Sequence, residues 1–172
     1  MLLLKLLQQL IRALNSDGTP GQVAAGLALG SALGLTPLIN LHNAVIFGVV
    51  TLANVSFPGA MLGWALCVPL GFALDPLFHA LGSRLLLETP ALTALWTAVY
   101  NTPVLSLANL NNTVVLGSLV VWLVLAVPLF FATRLGVARY REHVYQRLAR
   151  TRFFKAITAS KLYNVYRLFE PQ

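Results

Sequence analysis

Asn40, His42 and Asn43 interrupt the apolar stretch 37–53, and Asp75 and His79 fall near the end of a second apolar stretch, 57–81. Asp75 and His79 are four residues apart, so a helix puts both on one face. A carboxylate beside an imidazole orients the ring in acid–base catalysis and in metal shells. His42 would complete a set of two histidines and one carboxylate. A different chemistry is also open. Helix N-termini bind anions, so a helix starting at Thr36-Pro37 with His42 in its opening turns could hold a lipid phosphate, as broken helices hold substrates in transporters. Against both stands a structural reading. Asp75 precedes Pro76 as an N-cap would, and Asn40, His42 and Asn43 can hydrogen-bond between helices. The structural reading weighs more. The sequence has no HExxH, no Walker loop and no G-x-S-x-G, and only five acidic residues are present for acid–base work. The candidate polar site is therefore Thr36, Asn40, His42, Asn43, Asp75 and His79, with no catalytic residue, metal ligand or cofactor assigned.

The medium around these residues follows from composition. Of 172 residues, 58% are hydrophobic and 10% charged, against about 25% charged in a typical soluble domain. Mean hydropathy is +0.75. No Asp, Glu, Lys or Arg lies between Asp17 and Asp75, or between Glu88 and Arg134. A charge at the bilayer centre costs about 2.5–3.5 kcal/mol or more, so tracts of this kind are expected in hydrocarbon. The fold expected is an all-α membrane protein: a short helical bundle with broken or re-entrant helices. The lone Cys67 cannot form an internal disulfide or a cysteine-based zinc site; it reads as a small apolar residue.

The positioning elements are marked by repeated punctuation. Thr19-Pro20, Thr36-Pro37, Asp75-Pro76, Thr89-Pro90 and Thr102-Pro103 each pair a capping residue with proline, and Ser56-Phe57-Pro58 resembles them. Such pairs suit an N-cap followed by a first helical residue that needs no N–H. They predict helices at 20–35, 37–53, 57–74, 76–88, 90–100 and 103–110, then a long one from about Thr113. The first two would be only about 24–26 Å long, short of the roughly 30 Å of hydrocarbon. Either 20–53 is a hairpin that dips into the membrane and returns, or it holds one strongly broken crossing. Gly26, Gly30 and Gly34 recur at intervals of four, as do Gly59 and Gly63. Small residues at that interval let membrane helices approach closely. The clearest crossing is 113–133, with 57–81 running the other way; two to four crossings are compatible with the pattern.

Three parts follow: an interfacial amphipathic helix at 1–15, a transmembrane domain at 19–133 and a basic cytoplasmic tail at 134–172. In the first, Lys5, Gln8, Gln9 and Arg12 recur among leucines; a retained signal-like anchor is the weaker reading. The tail carries Arg139, Arg141, Arg147, Arg150, Arg152 and Lys155 among other bases. Basic residues beside a span stay on the cytoplasmic side, so both termini are expected there. An amphipathic basic helix with Phe and Tyr points to lipid headgroups or a partner. Nucleic acid is the weaker reading of the net charge of +7, because the charge adjoins a membrane span.

The segments GLALGSALGLTPLINLHN, DPLFHALG, LWTAVYNTP and NNTVVLGSL resemble a bacterial inner-membrane family, domain of unknown function 2062. The glycine run ending in Thr36-Pro37 is the most specific part. The resemblance implies an inner-membrane location and work beside a larger protein, some members being fused behind glycosyltransferases. It assigns no activity to any residue. The function expected is a small polytopic inner-membrane subunit that anchors or assists a larger envelope protein, with phospholipid transport as a candidate process. The alternatives are a stand-alone lipid translocator and a membrane-embedded enzyme using Asp75 and His79.

Overall fold

A computed structural model describes residues 18–145. These residues are almost entirely helical: α1 Pro20–Leu35, α2 Leu41–Leu52, α3 Phe57–Leu87, α4 Thr93–Asn101, α5 Pro103–Ser106 and α6 Thr113–Arg139, with a single 3₁₀ turn at Pro90–Leu92 and a wider π turn at Tyr140–Tyr145. No strand occurs among the described residues. The expected interfacial helix at 1–15 lies outside them, as do Arg147, Arg150, Arg152 and Lys155.

Local chemistry explains where the helices begin. Thr19 caps α1 by accepting from the Gln22 backbone N–H, Gln22 reciprocates with its side chain, and Pro20 follows. Ser56 caps α3 by accepting from Gly59 N–H, with Pro58 in the first turn. Asn112 caps α6 by accepting from Val114 and Val115.

Two expected starts are not starts. Thr36 closes α1: its backbone N–H and its hydroxyl both donate to the Ala32 carbonyl. Helix resumes only at Leu41, because the Pro37 carbonyl is taken by the side chains of Asn40 and Asn43, which fixes 36–40 as a turn. Asp75-Pro76 lies inside α3, which runs unbroken through Pro69 and Pro76; 57–74 and 76–88 are one helix, and Asp75 is not an N-cap. Proline removes one N–H from the ladder, a loss that apolar helices packed against neighbours tolerate. The stretches expected at 90–100 and 103–110 are a 3₁₀ turn leading into α4 and the four-residue α5.

Helices α1, α3 and α6 form the core, and glycines set their spacing. A Cβ on Gly26 or Gly30 would overlap the carbonyl oxygen of Ser56 or Ala60, and one on Gly63 would overlap that of Leu27. At Gly34 it would sit 2.7 Å from the Trp64 carbonyl, and at Gly59 2.9 Å from that of Val23. Residue numbers rise together along this seam, so α1 and α3 run parallel. A second seam joins α3 to α6: Gly82 meets the backbone of Thr113, and Gly117 meets that of Phe78. Here numbers run oppositely, so α6 is antiparallel to α3. Ser31 and Ser118, both fully buried, bond back to their own helices, Ser31 Oγ to Ala28 O at 2.7 Å and Ser118 Oγ to Val115 O at 3.1 Å.

Parallel neighbours need a returning connection, and α2 supplies it. Gln22 Nε2 donates to Asn54 Oδ1 at 2.7 Å, and Ser56 N–H donates to Gln22 O at 3.0 Å. The chain thus comes back after α2 to the level at which α1 began. Helix α2 buries Asn43, Ile46 and Val50 and exposes Val45, Phe47, Val49 and Leu52.

Burial is uneven. Helix α1 buries ten of its 16 residues. Helix α3 and the span Thr113–Glu142 are long and apolar enough to cross a membrane, yet only 28% and 22% of their most apolar windows are buried within the protein. A core helix of a soluble protein would be covered. Such exposed apolar faces suit membrane association. Trp122 on α6 ties the outer helix to the central one: its Nε1 donates to Ala28 O at 2.9 Å. Trp122→Phe keeps most of the packing and loses that bond, so a thermal or denaturant melt in detergent should show a loss of about 1 kcal/mol.

Candidate functional site

The turn between α1 and α2 gathers three of the six candidate residues around one carbonyl. Asn43 Nδ2 donates to Pro37 O at 2.8 Å and reaches Leu38 O at 3.4 Å, while its Oδ1 accepts from Thr36 Oγ1 at 2.8 Å. The Thr36 hydroxyl is also 2.8 Å from Ala32 O, so its one proton is shared. Asn40 Nδ2 donates to the same Pro37 carbonyl. All three residues are buried. The Asn43 amide uses both ends, which a buried amide requires.

Two neighbours are not satisfied. Asn40 Oδ1 has no partner and makes no bond to the start of α2, although Asn40 is its N-cap. Both ring nitrogens of His42 are buried without partners. Trp64 Nε1, on α3, is likewise unpartnered. The turn is tied to the segment before α6: Leu41 N–H donates to Leu107 O at 3.2 Å, and Asn109 Nδ2 reaches Ile39 O at 3.4 Å. Asn109 has φ 53°, a left-handed conformation that asparagine tolerates better than most residues.

Asp75 and His79 do not join this turn through any bond. His79 Nδ1 lies 2.7 Å from Thr113 Oγ1, at the start of α6. Asp75 sits half-buried one turn earlier on α3, and no hydrogen bond or ion pair reaches it among the described residues. No group of three His, Cys, Asp or Glu residues comes together among the described residues, so the set of His42, His79 and Asp75 is not assembled. Sequence reasoning missed Thr113 and Asn109. Both lie in the run NLNNT, whose density of capping residues marks a turn before a helix but not what that turn touches.

Shallow grooves open at two places among the described residues. One, of about 290 Å³, lies between the end of α3, α4 and α5 and is lined by Leu86, Trp96, Tyr100 and Leu105 among others. The other, of about 240 Å³, is framed by Gly18, Gln22, Asn54 and Ser56. None of the six candidate residues lines either one. Of the basic tail residues, Arg139 ends α6, and Arg141 Nη1 donates to Gly18 O at 2.8 Å beside the second groove.

Comparison with known proteins agrees on one relationship. Residues 4–146 match the family described as an uncharacterized protein conserved in bacteria (DUF2062). A protein of Treponema pallidum (strain Nichols), itself described only as an uncharacterized protein, is 26% identical over 152 residues, covering 88% of this chain and 93% of its own length. No solved structure matches. The family match spans most of the chain, and the relative aligns almost end to end: the chain belongs to the bacterial DUF2062 family.

Proposed function

We propose that the protein is a small polytopic subunit of the bacterial inner membrane that anchors or assists a larger envelope protein, in a process that handles phospholipid. The observation that carries this reading is the exposure of the two long helices: apolar windows only 28% and 22% buried offer wide faces to lipid and to a partner. In this reading residues 113–133 of α6 span the hydrocarbon, being about 31 Å long. The antiparallel seam then sets Gly82 of α3 at the outer boundary, level with Thr113. Helices α1 and α2 enter from the cytoplasmic side as a re-entrant hairpin, α4 lies at the outer surface with Trp96 and Tyr100, and the chain after α5 dips to meet the hairpin turn through Leu107 and Asn109. Both termini are cytoplasmic, and the basic tail meets anionic lipid.

The test is photocrosslinking in native membranes. A benzoylphenylalanine at Phe72 or Leu125, both well exposed, should give one discrete protein adduct larger than a dimer of this chain. Lipid adducts alone at every exposed position would sink the proposal. A stand-alone lipid translocator is the second reading, favoured by the unpartnered Asn40 Oδ1 and His42 ring at the hairpin turn. Purified protein in liposomes would then move labelled phospholipid, and no movement counts against it.

A further inference from the structure

We infer that Asp75, with His79 beside it, is the docking point for a basic side chain carried by a membrane helix of another protein. The inference rests on the membrane placement proposed above and names the chemistry of the partner's contact.

Asp75 is the only charged residue of α3 before Arg84. It carries no hydrogen bond or ion pair among the described residues, and exposed Phe72 and Leu77 flank it. It lies seven residues inward from Gly82, about 10 Å below the outer boundary. A carboxylate at that depth is a functional group in want of a cation. His79 follows on the same face and is held through Nδ1 by Thr113, so its exposed ring is fixed in place rather than free to swing. An apolar surface with one acidic group at a set depth accepts an apolar helix with one basic group at the same depth.

The identity of the cation follows by comparing sources. A lipid ammonium stays with the headgroups, about 10 Å away along the helix. A second copy of this chain brings none to that depth, since no Lys or Arg lies between Arg12 and Arg84 or between Arg84 and Arg134. What remains is a Lys or Arg on a different membrane protein, with Arg favoured because its planar fork pairs with a carboxylate through two bonds.

The full chain is tested in vesicles of phosphatidylethanolamine and phosphatidylglycerol. The probe is a leucine-rich membrane helix with a single arginine at the depth of Asp75, labelled for energy transfer. It should associate about tenfold more tightly than the same helix without arginine, or with the arginine moved to its end. Asp75→Asn should abolish the difference, and Asp75→Glu should keep most of it. Equal association of the two probes, or an undiminished effect in Asp75→Asn, overturns the inference. Folding is checked in parallel. Asp75→Asn should melt at the same or a higher temperature, because the native carboxylate has no internal partner; a clear drop marks Asp75 as an internal structural group and also overturns it. Failure of the native-membrane crosslinking with the probe result intact would instead reject the larger-assembly reading.

Discussion

Gly30→Leu separates α1 from α3 and lowers the stability of the bundle by about 3 kcal/mol or more, at the upper end of what overpacking costs. Even a Cβ at this position overlaps the Ala60 carbonyl oxygen. That atom belongs to a helix backbone, so no side chain can rotate out of the way. In the membrane placement proposed above, lipid gives these helices no hydrophobic reason to associate, and close backbone packing has to supply the attraction instead. Losing the approach therefore removes the force that holds the seam as well as adding a clash. Gly48 is the internal control. It lies within α2, and nothing approaches its Cβ position within 4 Å. Gly48→Ala should be neutral or stabilise by about 0.5–1 kcal/mol, as alanine for glycine does in a helix interior. Thermal melts of both variants in the same detergent check the pair. Equal melting of Gly30→Leu and the native chain would refute the seam.

Asn43→Ala is the second large effect, expected to cost about 1–2 kcal/mol. The substitution leaves the part-buried Pro37 carbonyl with Asn40 alone and takes an acceptor from the buried Thr36 hydroxyl. A buried polar group stripped of its partner costs about 1–3 kcal/mol, and measured couplings between membrane helices reach about 1.7. The loss should be local first: amide exchange across residues 36–43 should quicken before the core melts. Thr51→Ala is the comparison, because Thr51 bonds only within its own helix and is exposed. Should the two variants behave alike, the turn owes little to its asparagine. A double-mutant cycle with Thr36→Val isolates the pair.

The all-helical class was legible because long charge-free apolar tracts and repeated Thr-Pro and Asp-Pro pairs point to helices in lipid. Helix boundaries were legible only in part, and the reason lies in proline. Thr19-Pro20 opens a helix, whereas Thr36-Pro37 closes one, since a proline without an N–H is as acceptable just past a C-cap as at a first helical position. Asp75-Pro76 does neither, because α3 bridges it while packed against α1 and α6. The spacing of Gly26, Gly30 and Gly34 marks a close approach, but no sequence pattern says that the facing helix is α3 or that it runs parallel. At the polar site, Thr36 and Asn43 are seven apart and meet through a turn, a contact within local reach. His79 meets Thr113, 34 residues away, and only the assembled seam between α3 and α6 brings them together. Helical spacing on its own paired His79 with Asp75 and could not see the hydroxyl that holds it.

The order in which the chain emerges during synthesis gives the parallel α1–α3 seam a further meaning. Helix α1 is made before either helix that covers it, yet it is the most buried of the three. At 16 residues it falls short of the roughly 20 that a crossing needs, and the turn after it waits for Leu107 and Asn109 before its last bonds can form. The α1–α2 hairpin therefore completes its bonds only after the segment before α6 is made, although it leaves the ribosome before α3 and α6. Until α6 arrives, its glycine face and its buried asparagines stay uncovered and open to any chaperone that holds apolar segments.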